Sequence, residues 1–355
     1  MQNENNQTRV AIVSHEASLT GAPIVLLGLA DSLVELGYNP TFFCRSAGPL
    51  EAVLRKKNIK TVIGGPLSIS KEINCGHFEA AFINTIVNYD IVLKLNKRIR
   101  LFWWIHETPL SYEHHSKGLK SIPNVQEQNL KILSGGEYAR ETFLRFRPNY
   151  QVDNLNYYIP EANNAFSKLP LLNNSKVNFI CAGTIELRKG QDILVKAIRD
   201  VPSDLLRRAH FWFIGKPSDK SILREINCLR TKSYPVSYID LVPQQVLDDF
   251  LYSCNYLISP SRLDPMPMVV AIAMAQGTPV VISDTVGIKQ IVEPIKCNII
   301  FKNTSEELKE VLIRLITQTN ENKAKVFFKQ NIEQFKRHFS KETFQNKLRK
   351  FLDFL

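Results

Sequence analysis

Short apolar runs alternate with stretches of helical periodicity along the whole chain, and this alternation limits the fold more than any other feature. Residues 10–14, 41–44, 61–63, 81–84, 101–105 and 131–134 read as strands. A helical pattern over 22–36, stopped by Gly37, separates the first strand from the second, and one over 49–57 separates the second from the third. A polar stretch over 161–175, with Asn pairs at 163–164 and 173–174, breaks the series. It resumes at 179–182, 211–214, 236–239, 256–259, 280–282 and 298–301. Such spacing requires βαβ crossovers and parallel sheets. At 355 residues the chain is also too long for one hydrophobic core. The expected fold class is α/β, with two doubly wound domains facing across a cleft. The expected divisions are a first domain over 1–160, a linker over 161–175, a second domain over 176–335, and a C-terminal helix over 336–355 packing back on the first.

Composition narrows the function classes. With 44% hydrophobic and 22% charged residues, a soluble globular protein is expected. No apolar run reaches the roughly 18–20 residues that span a bilayer. The polar start, MQNENNQTRV, reads as neither signal peptide nor anchor. Six cysteines lie far apart with no C-x-x-C pair, several inside apolar runs, as expected of free thiols in a reducing cytoplasm.

The net charge of +11 is unevenly spread: from Lys323 to Lys350 nine Lys/Arg face two Glu. Phe328, Ile332, Phe335 and Phe339, then Phe344, Leu348, Phe351, Leu352 and Leu355, follow helical spacing there. Two compatible readings are open: the apolar face packs on the body while the lysines stay solvated, or the tail is drawn to an acidic membrane surface. No recognised nucleic-acid module accompanies the charge, so no nucleic-acid partner is expected.

In open parallel sheets, ligands bind beyond the carboxyl ends of the strands, so the residues there carry the functional information. After the first strand comes Leu19-Thr20-Gly21-Ala22-Pro23, where small residues and a helix start could admit an anion, or could simply make a tight turn. His106 ends WWIH, placed to bond a substrate hydroxyl or to sit as a core or loop histidine. Gly183-Thr184-Ile185-Glu186-Leu187-Arg188-Lys189-Gly190 puts two cations at the head of a helix, against its dipole. A polyphosphate between them would relieve that conflict; a solvated loop is the alternative. SPSRLD places the lone carboxylate Asp264 after a later strand, and Gly287 starts another helix as a candidate anion nest. The crowd His106, Glu107, Glu113, His114 and His115 matches no common metal spacing, and no metal site is expected.

This arrangement resembles the GT-B glycosyltransferases, a fold of two Rossmann-like domains, and within them the retaining, nucleotide-sugar-dependent enzymes of glycosyltransferase family 4. TGAP, WWIHE, ELRKGQDILVKAI and SPSRLDPMPMVVAIAMAQGTPVVISDTVG carry the resemblance, most strongly from Val177 to Val292. It implies an acceptor-side first domain and a donor-binding second domain. Lys189, with Arg188 nearby, would neutralise the donor diphosphate, and Asp264 would bond a sugar hydroxyl. The amides of Met268 and Val269 would hold other sugar hydroxyls or phosphate, and Gly21 and Ala22 would approach the diphosphate. His106 would sit against the transferred sugar, Gly183 would line the donor loop, and the base would lie near Val242-Pro243. The leaving phosphate itself would accept the acceptor's proton, with no cofactor and with Lys in place of a divalent cation.

Three departures accompany the likeness. Thr184 follows Gly183 where an Arg is common, and Pro267 stands where Gly is common. Ile272 occupies the second acidic position of the family's E-x7-E pattern, so charge-assisted bonds to the ribose, worth about 1.5–3 kcal/mol, would be missing. The expected function is a retaining, metal-independent transfer from a nucleotide sugar to a glycan or lipid-linked acceptor. It would serve surface polysaccharide synthesis in the cytoplasm, or at the inner face of the cell membrane. The alternative is a catalytically degenerate protein that binds and stabilises a second, active glycosyltransferase subunit. An epimerase or phosphorylase of the same fold fits less well, because neither an acid pair nor a pyridoxal-phosphate lysine sequence is evident.

Overall fold

The computed structural model describes residues 7–353 apart from 20, 96, 161–166, 173–174 and 319–320, and the side chains of 321–327 also lie outside the described set. The chain divides into two units, Met1–Pro160 with Phe339–Leu355, and Glu161–His338. No helix among the described residues is long and apolar enough to cross a membrane.

Seven strands form the first sheet: β1 (Arg9–Ser14), β2 (Asn39–Cys44), β3 (Lys60–Ile63), β4 (Ala80–Asn84), β5 (Arg100–Ile105), β6 (Leu130–Ser134) and β7 (Val152–Asn154). Their order is β3-β2-β1-β4-β5-β6-β7, and every pairing is parallel. Helices cover both faces, which is why β1 and β4 are unbroken apolar runs rather than alternating ones. β5 supplies the largest fully buried side chains of the described residues, Trp103 and Trp104. Each buried indole N–H has an acceptor, the carbonyls of Thr85 (2.8 Å) and Leu155 (3.0 Å). The helix Lys341–Leu352 closes this unit: the Ser340 hydroxyl caps its start by accepting from the Thr343 N–H at 3.2 Å. Its Phe344 ring lies 6.0 Å from Trp104.

The second sheet contains β8 (Val177–Ala182), β9 (Ala209–Ile214), β10 (Val236–Ile239), β11 (Tyr256–Ser259), β12 (Val280–Ser283) and β13 (Ile299–Phe301). Its order, β10-β9-β8-β11-β12-β13, is again all parallel. In each sheet the chain runs outward from the first strand to one edge, then returns to build the other. That reversal leaves a crevice beside the first strand, at the carboxyl end.

The 161–175 stretch is described at 167–172 and 175. There the Ser167 N–H donates to Asp249 (3.0 Å), the Leu169 N–H to the Ser253 hydroxyl (2.9 Å), and Leu172 is buried, all within the second unit. The return to the first unit occurs at Phe339, the last residue of helix Glu321–Phe339, so the expected division at 335–336 falls inside a helix.

Candidate functional site

In the second unit, the loop after β8 is shaped by glycines. Gly183 has φ +140° and Gly190 has φ +71°. A Cβ on Gly190 would come within 1.9 Å of the Pro260 carbonyl oxygen, so only glycine lets the two strand-end loops touch there. Buried Gln191 ties the loop to the head of helix Gln191–Asp200, its amide donating to Thr184 O at 2.8 Å. The loop after β11 then docks on it. The Arg262 N–H donates to Arg188 O (2.8 Å), and the Arg188 guanidinium to Leu263 O (3.0 Å).

Charges meet at this junction in matched pairs. Lys189 Nζ lies 2.5 Å from Asp264 Oδ2, and Arg188 lies 2.7 Å from Glu186 and 3.9 Å from Asp264. Arg262 forks onto Asp192 with bonds of 2.7 and 2.6 Å, and this carboxylate raises the pKa of the Arg262 guanidinium. Asp192 sits in the first turn of its helix, where a negative charge suits the dipole. The conflict expected of two cations at a helix head is thus met within the chain itself by two carboxylates, Glu186 and Asp264. Asp264 is buried at 5% exposure, yet Lys189 remains partly open at its end of the pair.

Other expected residues are placed as follows. Gly287 is not a free anion nest, because its N–H donates to the Asp264 carbonyl at 2.9 Å. Met268 and Val269 open helix Met268–Ala275 after Pro267. As first-turn residues their N–H groups lack intrahelical acceptors. Ile272 lies one turn further on and is partly exposed rather than packed away. Val242 is in the loop between β10 and helix Gln244–Ser253, at the carboxyl side of an edge strand.

In the first unit, helix Gly21–Glu35 begins at Gly21, while Thr20 is outside the described residues. A Cβ on Gly21 would meet nothing within 4 Å, so no close contact requires glycine there. The Ala22 carbonyl accepts from Asn84 Nδ2 at 2.8 Å. His106, just past β5, meets the same Asn84 through Nε2···Oδ1 at 2.9 Å. Its ring packs against Trp104 and over Gly135, where a Cβ would fall 2.3 Å from Nδ1. Burial pushes the His106 pKa down to about 3, so the imidazole is neutral near pH 7.

Glu107 turns inward. It accepts from the Ile86 N–H (2.9 Å) and the His106 N–H (2.8 Å), while burial pushes its pKa up to about 7. Buried Thr85, between these groups, has φ +67°, an uncommon conformation for a β-branched residue. His106, Glu107, Glu113, His114 and His115 do not gather into a metal-binding group among the described residues.

Asn84, Glu107, Asp192 and Arg262 are participants that sequence reasoning did not assign. Their signals were slight: a polar residue ending the apolar AAFIN run, an acid beside the chosen histidine, an acid in a helix's first turn, and an arginine two residues before Asp264.

Comparison with known proteins finds family matches over both halves of the chain. The family described as glycosyl transferases group 1 matches residues 176–318, and glycosyl-transferase family 4 matches residues 6–137. An uncharacterized glycosyltransferase of Methanocaldococcus jannaschii, MJ1178, is 29% identical over 184 residues, 50% of this chain and 49% of that protein. The aligned part thus spans about half the length of that curated relative.

Among solved structures, Anabaena Alr3699/HepE in complex with UDP and glucose superposes with a TM-score of 0.80 at 14% identity, covering 98% of this chain and 100% of that one. WaaG, a glycosyltransferase involved in lipopolysaccharide biosynthesis, gives a TM-score of 0.64 at 12% identity, with 96% and 99% covered. Two parallel open sheets, this likeness to GT-B structures, and family matches over both halves lead to one assignment: the chain belongs to the GT-B glycosyltransferases of the family 4 type.

Proposed function

We propose that the protein is a retaining glycosyltransferase that moves a sugar from a nucleoside diphosphate to a glycan or lipid-linked acceptor in surface polysaccharide synthesis. The observation that carries this reading is the Lys189–Asp264 pair at the carboxyl ends of β8 and β11, 2.5 Å apart. A donor diphosphate draws the ammonium toward its leaving oxygen, and Asp264, released from Lys189, accepts a bond from a sugar hydroxyl. The lysine's contribution grows as charge builds on the departing phosphate, so it favours the transition state over the ground state. The first-turn N–H groups of Met268 and Val269 offer further donors. The UDP, glucose and UDP-glucose complexes of HepE support a nucleotide-sugar donor. The involvement of WaaG in lipopolysaccharide biosynthesis supports a glycan of the cell surface as acceptor.

The test is turnover of UDP-, GDP- and dTDP-sugars by the full chain with glycan and lipid-linked acceptors, the product anomer being read by NMR. Lys189→Ala and Asp264→Asn are each expected to lower transfer about tenfold or more. Wild-type rates in both variants, or an inverted anomer, would contradict the reading. A second reading rests on partly exposed Ile272, standing where the resemblance implies a ribose-binding acid: a partner that binds an active transferase. Its signature is no turnover with any donor, together with co-purification of a second subunit.

A further inference from the structure

We propose that Asn84 is a positioning residue that holds His106 in its Nε2–H tautomer and fastens it to the start of helix Gly21–Glu35. The consequence for turnover rests on the reading of His106 as a residue at the transferred sugar. The clamp itself stands on geometry within the first unit.

The direction of each bond follows from its acceptor. The Ala22 carbonyl can only accept, so the group 2.8 Å from it must be the amide nitrogen of Asn84. The Asn84 oxygen therefore faces His106 Nε2 at 2.9 Å, and because that oxygen can only accept, Nε2 must carry the proton. The reverse amide orientation would set two oxygens 2.8 Å apart. A neutral imidazole has one N–H, so Nδ1 is left with its lone pair, over Gly135. Asn84 has no exposed surface, so water does not substitute for either bond.

Three features make the clamp rigid. Asn88, also fully buried, donates its side-chain amide to the Asn84 carbonyl at 2.7 Å. Glu107 ties the backbone of Ile86 to that of His106, bracing the loop after β4 against the loop after β5. Thr85 holds its positive φ between them, and its buried hydroxyl has no partner among the described residues. Strain of this kind persists only where the surroundings over-determine it. The result is one amide that fixes both the proton of a strand-end histidine and the position of a helix start 62 residues earlier.

The experiment uses the full chain carrying 15N-labelled histidine. Loss of one imidazole signal in His106→Ala assigns His106 among the seven histidines. Its two 15N shifts then report the tautomer. Wild type is expected to be almost wholly Nε2–H. Asn84→Leu removes the acceptor and is expected to yield a mixture of tautomers.

In turnover with the donor found by screening, Asn84→Leu should lower kcat about tenfold, with the donor KM changing less than about threefold. Combining it with His106→Ala should be no worse than His106→Ala alone, as for residues that act as a unit. A wild-type His106 that is not Nε2–H, or an unchanged His106 tautomer in Asn84→Leu, would overturn the clamp. Full turnover by His106→Ala would instead remove the catalytic reading of His106 and leave the tautomer result to decide the clamp alone.

Discussion

Glu107 holds a carboxyl group in a setting that raises its pKa from 4.5 to about 7, with burial as the leading cause and backbone N–H bonds working against it. The groups facing it are the Tyr112 phenol, whose own pKa burial and this carboxylate raise, and the main-chain N–H groups of Ile86 and His106. Because the folded value lies above the unfolded one, the folded state keeps a proton that the unfolded chain releases. The associated stability is complete below about pH 4.5 and is lost as pH rises through about 7. His106 acts in the opposite sense: its depressed pKa withdraws stability as pH falls below 6.5. Comparison with Glu107→Gln separates the two. The melting temperature of wild type relative to this variant is expected to fall by several degrees from about pH 5 to about pH 7.5, read by calorimetry. Parallel curves across that range would show that Glu107 does not titrate there.

At the scale of elements, the strand-end loops were legible and their partners were not. Lys189 and Asp264 lie in the loops that follow β8 and β11, so the rule for parallel sheets pointed to both. Their 75-residue separation hid their pairing, as the 70 residues between Asp192 and Arg262 hid that fork. β7 escaped because Val152–Asn154 has one buried residue and no apolar run, which is what a short edge strand needs and no more. Asn84 could not be read because a single amide at a strand end gives no sign of whether it faces water or another side chain.

The tail helix Lys341–Leu352 packs its apolar face and leaves cations in solvent. Phe344, Leu348 and Leu352 are buried in the first unit, while Arg349 and Lys350 are exposed. Beside it a cavity of about 680 Å³ is lined by Lys97, Arg98, Arg100, Lys131 and Phe351 together with Glu127, which pairs with Lys97 at 3.0 Å, leaving an excess of cations. This cationic surface is the one we propose meets acidic lipid. Liposomes with an acidic phospholipid are expected to sediment the protein, and ionic strength near 1 M, where the Debye length is about 3 Å, to release it. Equal sedimentation with neutral liposomes would contradict this.

For the whole molecule, the alternation of runs was enough to place two parallel sheets, because helix-covered strands must be apolar along their length. What the chain does with them depends on a few charges. In the second unit, the cations at the head of helix Gln191–Asp200 are balanced by Glu186 and Asp264, so an incoming diphosphate must compete with Asp264 for Lys189. The most direct test is a crystal structure of the full chain with UDP or GDP. A phosphate oxygen is expected within hydrogen-bond distance of Lys189 Nζ, with the ammonium drawn away from Asp264. Phosphates bound elsewhere, with Lys189 still held by Asp264 alone, would contradict the proposed role of the lysine.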